Sequence, residues 1–153
     1  MKRSIDALVC VSEDLKNDAE FIVAAMIENV NALDYASDAL KNDREFILTA
    51  VKRNSTALKY ASDTLKNDPE IVLAAINENI DTLSYASENL KNDSVFMLEA
   101  VSVNVKTLKY ASKDLKNDLE FTLSAVQRNV SAFRYASAQL QSDPVLRAAA
   151  GLA

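Results

Sequence analysis

The chain has 153 residues and a formal charge of −5, is 49% apolar, and contains one glycine, two prolines, one cysteine and no histidine. That length allows a sizeable core, and scarce Gly and Pro beside so many apolar residues exclude a linker-like or disordered chain. The mild acidity argues against a general nucleic-acid binder, and a single thiol without histidine excludes a disulfide framework or the soft ligands of a structural zinc site.

From the start, Met1-Lys-Arg-Ser-Ile-Asp-Ala-Leu-Val-Cys-Val carries a basic opening, but Asp6 interrupts its apolar run and Ser12-Glu13-Asp14 closes it. It does not read as a signal peptide. No stretch reaches the length of a membrane span, lipidation signals are absent, and membrane insertion is not expected. A reducing interior is the expected compartment.

The motif Leu-Lys-Asn-Asp begins at Leu15, Leu40, Leu65, Leu90 and Leu115, and returns as Leu140-Gln-Ser-Asp143, always 25 residues on. Taking one unit in order, Asp43 precedes an apolar-periodic run with Glu45 in its first turn, an N-cap acceptor followed by an acid suited to the positive helix end. Asp68-Pro69 and Asp143-Pro144 place proline at the first helical position, where its missing N–H costs nothing. The spacing predicts a first helix over Arg44 to Arg53 that stops at Asn54, with Asn29, Asn79, Asn104 and Asn129 as equivalent cap or turn residues. A second helix is predicted over Thr56 to Leu65. Asn42 and its counterparts at 17, 67, 92 and 117 are expected to end that helix in the left-handed conformation usually given to glycine.

At 100° steps, Phe46, Ile47, Leu48, Ala50 and Val51 sweep a broad apolar arc, whereas Leu58, Ala61, Ser62 and Leu65 form a narrow seam facing the first helix. Helices of about ten residues do not persist alone in water, so neighbouring units must stabilise them. The fold class is therefore all-α, an α-solenoid of 25-residue two-helix repeats with five full units and a half unit at each end, read as a single repeat domain over residues 1–153. Ile5 to Leu15 align with a second helix and Asp143 to Ala153 with a first, so a fragment of a longer protein is expected. The competing expectation is a weak head-to-tail oligomer joined through the open half repeats, against a monomer.

The units Ala57-Leu-Lys-Tyr-Ala-Ser-Asp-Thr-Leu-Lys-Asn-Asp68 and Glu70-Ile-Val-Leu-Ala-Ala-Ile-Asn-Glu-Asn79 resemble the tandem repeats catalogued as domain of unknown function 4116, over nearly the whole chain. The resemblance implies an interaction or scaffold module of the kind seen in some bacterial effector proteins, cytoplasmic or secreted into a host cytoplasm, with no catalytic residues to carry over. Val9-Cys10-Val11, in place of Tyr-Ala-Ser, and the terminal alanine run depart from the pattern.

Nothing in the chain points to catalysis. Histidine is absent, the aspartates read as caps, no Gly-rich phosphate loop or nucleophile elbow is present, and Cys10 reads as a packing thiol. No metal or other cofactor is expected.

Candidate partner contacts come from columns in which the units differ. Those equivalent to Thr56, Lys59 and Asp63 run from Asn31, Asp34 and Asp38, through Asp81, Ser84 and Glu88, to Lys106, Lys109 and Lys113, then Ser131, Arg134 and Ala138. The strip turns from acidic to basic. Its partner-binding candidates are Lys106, Lys109, Lys113 and Arg134, with Tyr110 and Tyr135 of the single-column tyrosine ladder, facing an unknown protein partner or an acidic or phosphorylated ligand. The ladder itself reads either as rings packed between repeats or as an exposed recognition surface. Lys16, Lys41, Lys66, Lys91 and Lys116 are expected to meet outgoing helix carbonyls.

Overall fold

The structure, a computed structural model, describes residues 12–152, which are helical with no strand among them. The readings placed on Ile5 to Val11, including Cys10, fall outside these residues. The first-helix prediction holds: α1 (Ala19–Glu28), α2 (Arg44–Arg53), α3 (Pro69–Glu78), α4 (Ser94–Val103), α5 (Leu119–Arg128) and α6 (Pro144–Ala149) each follow an aspartate N-cap. The capping is the same throughout. Asp43 Oδ1, for example, accepts the Phe46 N–H at 2.8 Å, and Asp118 Oδ1 accepts that of Phe121 at 2.8 Å. Each such cap is worth roughly 1 kcal/mol.

The apolar arc is buried as the pattern requires. Phe46, Ile47, Ala50 and Val51 are inaccessible or nearly so, and Leu48 is half-buried. In the same columns Ile71, Val72, Ala75 and Ile76 of α3, and Phe96, Met97, Ala100 and Val101 of α4, carry the core along the chain. Where Thr122 replaces an aliphatic residue in α5, its hydroxyl donates to the Asp118 carbonyl at 2.7 Å, so no polar group is stranded.

After Asn54 the unit departs from expectation. The second arm is not one α-helix over Thr56–Leu65. It is a 3₁₀ helix, η2 (Ser55–Tyr60), then Ala61 in extended backbone at φ −61°, ψ 155°, and then a turn that ends in a 3₁₀ segment at Leu65–Asn67. Elsewhere η1 (Val30–Tyr35), η3 (Ile80–Tyr85), η4 (Val105–Tyr110) and η5 (Val130–Tyr135) lead, through the same break, into single α-turns such as Asp38–Lys41 and Lys113–Lys116.

Hydrogen bonding explains the break. In a continuous helix the Ser62 N–H would stay inside the helix; instead it reaches back to the preceding repeat and donates to the Lys41 carbonyl at 2.8 Å. The Ser62 hydroxyl oxygen accepts the Leu65 N–H as an N-cap, while the hydroxyl itself donates to Asn42 Oδ1 at 2.7 Å. The same pair of links joins Ser37 to Lys16 and Asn17, Ser112 to Lys91 and Asn92, and Ser137 to Lys116 and Asn117. Ser62 is therefore a rung between repeats rather than part of the apolar seam, which Leu58, Ala61 and Leu65 do form.

The asparagines also differ from expectation. Asn42 sits at φ −104°, ψ 2°, and Asn17, Asn92 and Asn117 at similar values. No non-glycine residue among those described has positive φ. The chain turns through the bridge region, and what recurs from repeat to repeat is the use of the Asn side chain as an acceptor. Asn54 behaves as predicted, closing α2 in extended backbone while its Oδ1 accepts the Thr56 N–H at 3.0 Å. The one left-handed residue described is Gly151, at φ 71°. There α6 ends in a Schellman turn, with Leu152 N–H donating to the Arg147 carbonyl and Gly151 N–H to that of Ala148.

The chain packs as two compact units, Met1–Tyr85 and Ala86–Ala153. Within the first, α1, α2 and α3 stack in sequence with η1, η2 and η3 alongside; within the second, α4, α5 and α6 do so with η4 and η5. The architecture is an all-α repeat solenoid.

Candidate functional site

The variable strip is solvent-facing. In the Ala86–Ala153 unit, Lys106, Lys109, Lys113 and Arg134 are all exposed. Lys106 and Lys109 share one side of η4 because side chains three apart eclipse in a 3₁₀ helix. Lys113 starts the following one-turn helix, and Arg134 occupies in η5 the position of Lys109 in η4. No carboxylate forms an ion pair with Lys106, Lys113 or Arg134 among the described residues.

Tyr110 and Tyr135 lie half-buried beneath the cations. Lys109 Nζ stands 4.6 Å from the centre of the Tyr110 ring and the Arg134 guanidinium 5.1 Å from that of Tyr135, and Lys59 stands over Tyr60 in the same way. The rings are thus covered on one face by the strip itself. Tyr60 is buried, and its hydroxyl donates to Asn31 Oδ1 at 2.6 Å, a second link between adjacent repeats. Tyr60, Tyr110 and Tyr135 therefore act as the floor on which exposed cations rest, each such contact being worth about 0.5–1 kcal/mol at an exposed site.

Beside these residues is a cleft of about 450 Å³ lined by Lys113, Asp114, Lys116, Asn117, Tyr135 and Ser137. Lys116 was read from sequence only as a helix-end cation. Its burial here pushes the ammonium below its ordinary pKa, while Nζ donates to the Lys109 carbonyl at 2.8 Å. Lys41 makes the equivalent bond to Asp34, and in the last repeat Gln141 replaces lysine and donates to Arg134 and Ala136 carbonyls. Lys16, Lys66 and Lys91 instead pair with Glu13, Asp63 and Glu88. The lysine column is thus engaged by carbonyls and carboxylates of its own chain.

The first unit carries the opposite charge on its strip, with Asp34, Asp38, Asp63 and Asp81 exposed and Lys59 the cation of η2. No helix among the described residues is long and apolar enough to cross a membrane.

Fold and surface together define a class: an all-α tandem-repeat protein whose invariant columns build the scaffold and whose variable columns face solvent. The chain belongs to the family described as domain of unknown function (DUF4116), which matches it over residues 1–41, 43–91 and 93–141. Two of these copies begin on a capping aspartate, Asp43 and Asp93, and each of them takes in two 25-residue units. No curated protein and no solved structure matches the chain.

Proposed function

We propose that the chain is a non-catalytic interaction module, and that the basic face of its Ala86–Ala153 unit docks an acidic segment of a partner protein. The observation that carries this reading is the placement of Lys106, Lys109, Lys113 and Arg134, all exposed on the 3₁₀ side, with Lys109 and Arg134 resting on Tyr110 and Tyr135. Rings that limit side-chain freedom reduce the ordering cost when such cations meet carboxylates or phosphates. The bordering cleft offers room for one side chain of the partner beside Lys113.

Fluorescence anisotropy with a labelled glutamate-rich peptide tests this. Wild-type protein should bind it with an affinity that falls as salt rises, because exposed charges are screened beyond about 8–10 Å at physiological ionic strength. Replacing Lys109 and Lys113 together by Glu should abolish the signal, and unchanged binding by that variant rejects the proposal.

A further inference from the structure

The junctions between successive long helices hold a second kind of site. Between α1 and α2 lies an open cleft of about 390 Å³ whose walls include Ala19, Val23, Asp43, Glu45, Phe46 and Thr49. Three repeats later, between α4 and α5, a cleft of about 210 Å³ is lined by Ser94, Leu98, Asp118, Glu120, Phe121 and Ser124. These are the same columns, 75 residues apart. Each cleft presents an N-cap aspartate and a glutamate two residues later, above an apolar floor of Phe and Val or Leu. In the capping aspartates Oδ1 is taken by the Phe46 or Phe121 N–H, and no cation pairs with Asp43, Glu45, Asp118 or Glu120 among the described residues.

The junction between α2 and α3 shows what such a pair holds. There the column of Ala19 and Ser94 is occupied by Arg44. Its Nε donates to Asp68 Oδ2 at 2.9 Å, and its Nη2 donates to Glu70 Oε2. Asp68 still caps α3 through Oδ1, which accepts the Glu70 and Ile71 N–H groups. Both functions coexist because the cap uses one carboxylate oxygen and the guanidinium the other. Asp68 is half-buried under this guanidinium, whereas its counterparts Asp43 and Asp118 are exposed. The planar fork of arginine matches two carboxylates better than the point charge of lysine does.

Charge at the clefts favours a cation as well. A helix N-terminus carries about half a positive charge, which the capping aspartate offsets, leaving the glutamate in excess. Glu20 adds a further carboxylate to the first cleft, so that its lining carries three carboxylates, Glu20, Asp43 and Glu45, against the one guanidinium of Arg53. The second cleft has no lining cation.

We infer that the α1–α2 and α4–α5 clefts are receptor sites for arginine side chains from a basic segment of a partner protein, filled in the way Arg44 fills the intervening α2–α3 junction. These sites are independent of the basic face: they have the opposite charge and lie on the long-helix side of the repeat.

Titration with N-acetyl-arginine methylamide, followed by amide chemical shifts at low salt, tests the assignment. Saturable shifts should appear at Phe46 and Phe121 and should be at least about threefold stronger than with the lysine analogue, reflecting bidentate geometry. Ser94→Arg, which supplies the chain's own guanidinium, should remove the Phe121 response and leave that of Phe46. Arg44→Ala should open a third site reporting at Ile71. The inference is overturned if no saturable shift occurs, if lysine binds equally well, or if Ser94→Arg leaves Phe121 responding. The acidic-peptide experiment above is insensitive to each of these variants, so the two readings fail separately.

Discussion

Asp68 does two jobs with one carboxylate. Burial pushes its pKa up, but the hydrogen bond from Arg44, together with the Ile71 and Glu70 N–H groups, outweighs that and holds it below its ordinary value of 3.8. Arg44 is correspondingly raised by its hydrogen bonds to Asp68 and Glu70. A carboxyl whose folded pKa lies below its unfolded one stabilises the fold above that unfolded value and loses the contribution as pH falls through the folded value. Arg44→Ala should therefore move the Asp68 titration midpoint upward, as read from its side-chain carboxyl resonance, and should shrink the loss of unfolding free energy as pH falls through this range. Asp68→Asn should keep the cap, since Asn caps about as well as Asp, while abolishing the Arg44-dependent part of the pH response. The capping half of this arrangement was legible from Asp68-Pro69 alone. The ion pair was not, because Arg44 and Asp68 are 24 residues apart and meet only when two repeats stack.

The second arm of the repeat teaches the same lesson for an element. Its apolar residues read equally well as one ten-residue helix, and Leu58, Ala61 and Leu65 are buried as that reading requires. What it lacked was a partner for the Ser62 N–H, which lies 21 residues back at Lys41. A single long-range hydrogen bond divides the arm into a 3₁₀ helix and a turn. Ser62→Ala should cost about 1–2 kcal/mol in urea unfolding, through loss of the cap and of the donor to Asn42. Ser62→Asp should recover the capping share only, because a carboxylate cannot donate to Asn42 Oδ1. Combined with Asn42→Ala, the Ser62→Ala loss should be less than additive, which a double-mutant cycle measures.

At the scale of the molecule, local contacts of this kind tie the stability of each repeat mainly to its neighbours. Leu108, on the buried side of η4, is 2% exposed. Leu108→Ala should cost about 2–5 kcal/mol. Hydrogen exchange should locate the loss in α4, η4 and α5, with amides of α1 and α2 changing least. The repeat period, its caps and the exposure of the Lys106 to Arg134 strip could all be read from internal comparison, because scaffold columns repeat and surface columns vary. The acidic clefts could not. They arise where the first helical residue of one unit faces the cap of the next, and the available clue was the isolated Arg44 in a column otherwise held by Ala, Pro, Ser and Leu.

The rung from Ser to the preceding Asn always spans twenty residues. That interval makes the length of the protein a quantised property. One residue added between Asn42 and Ser62 lengthens that interval to twenty-one and must be absorbed within the one unit, whereas duplication or loss of a whole 25-residue block leaves every interval as it was. Genetic change in such a chain is thus channelled into whole blocks, and each new block arrives with its own variable strip and its own junction, ready to diverge while the links that hold it stay in place.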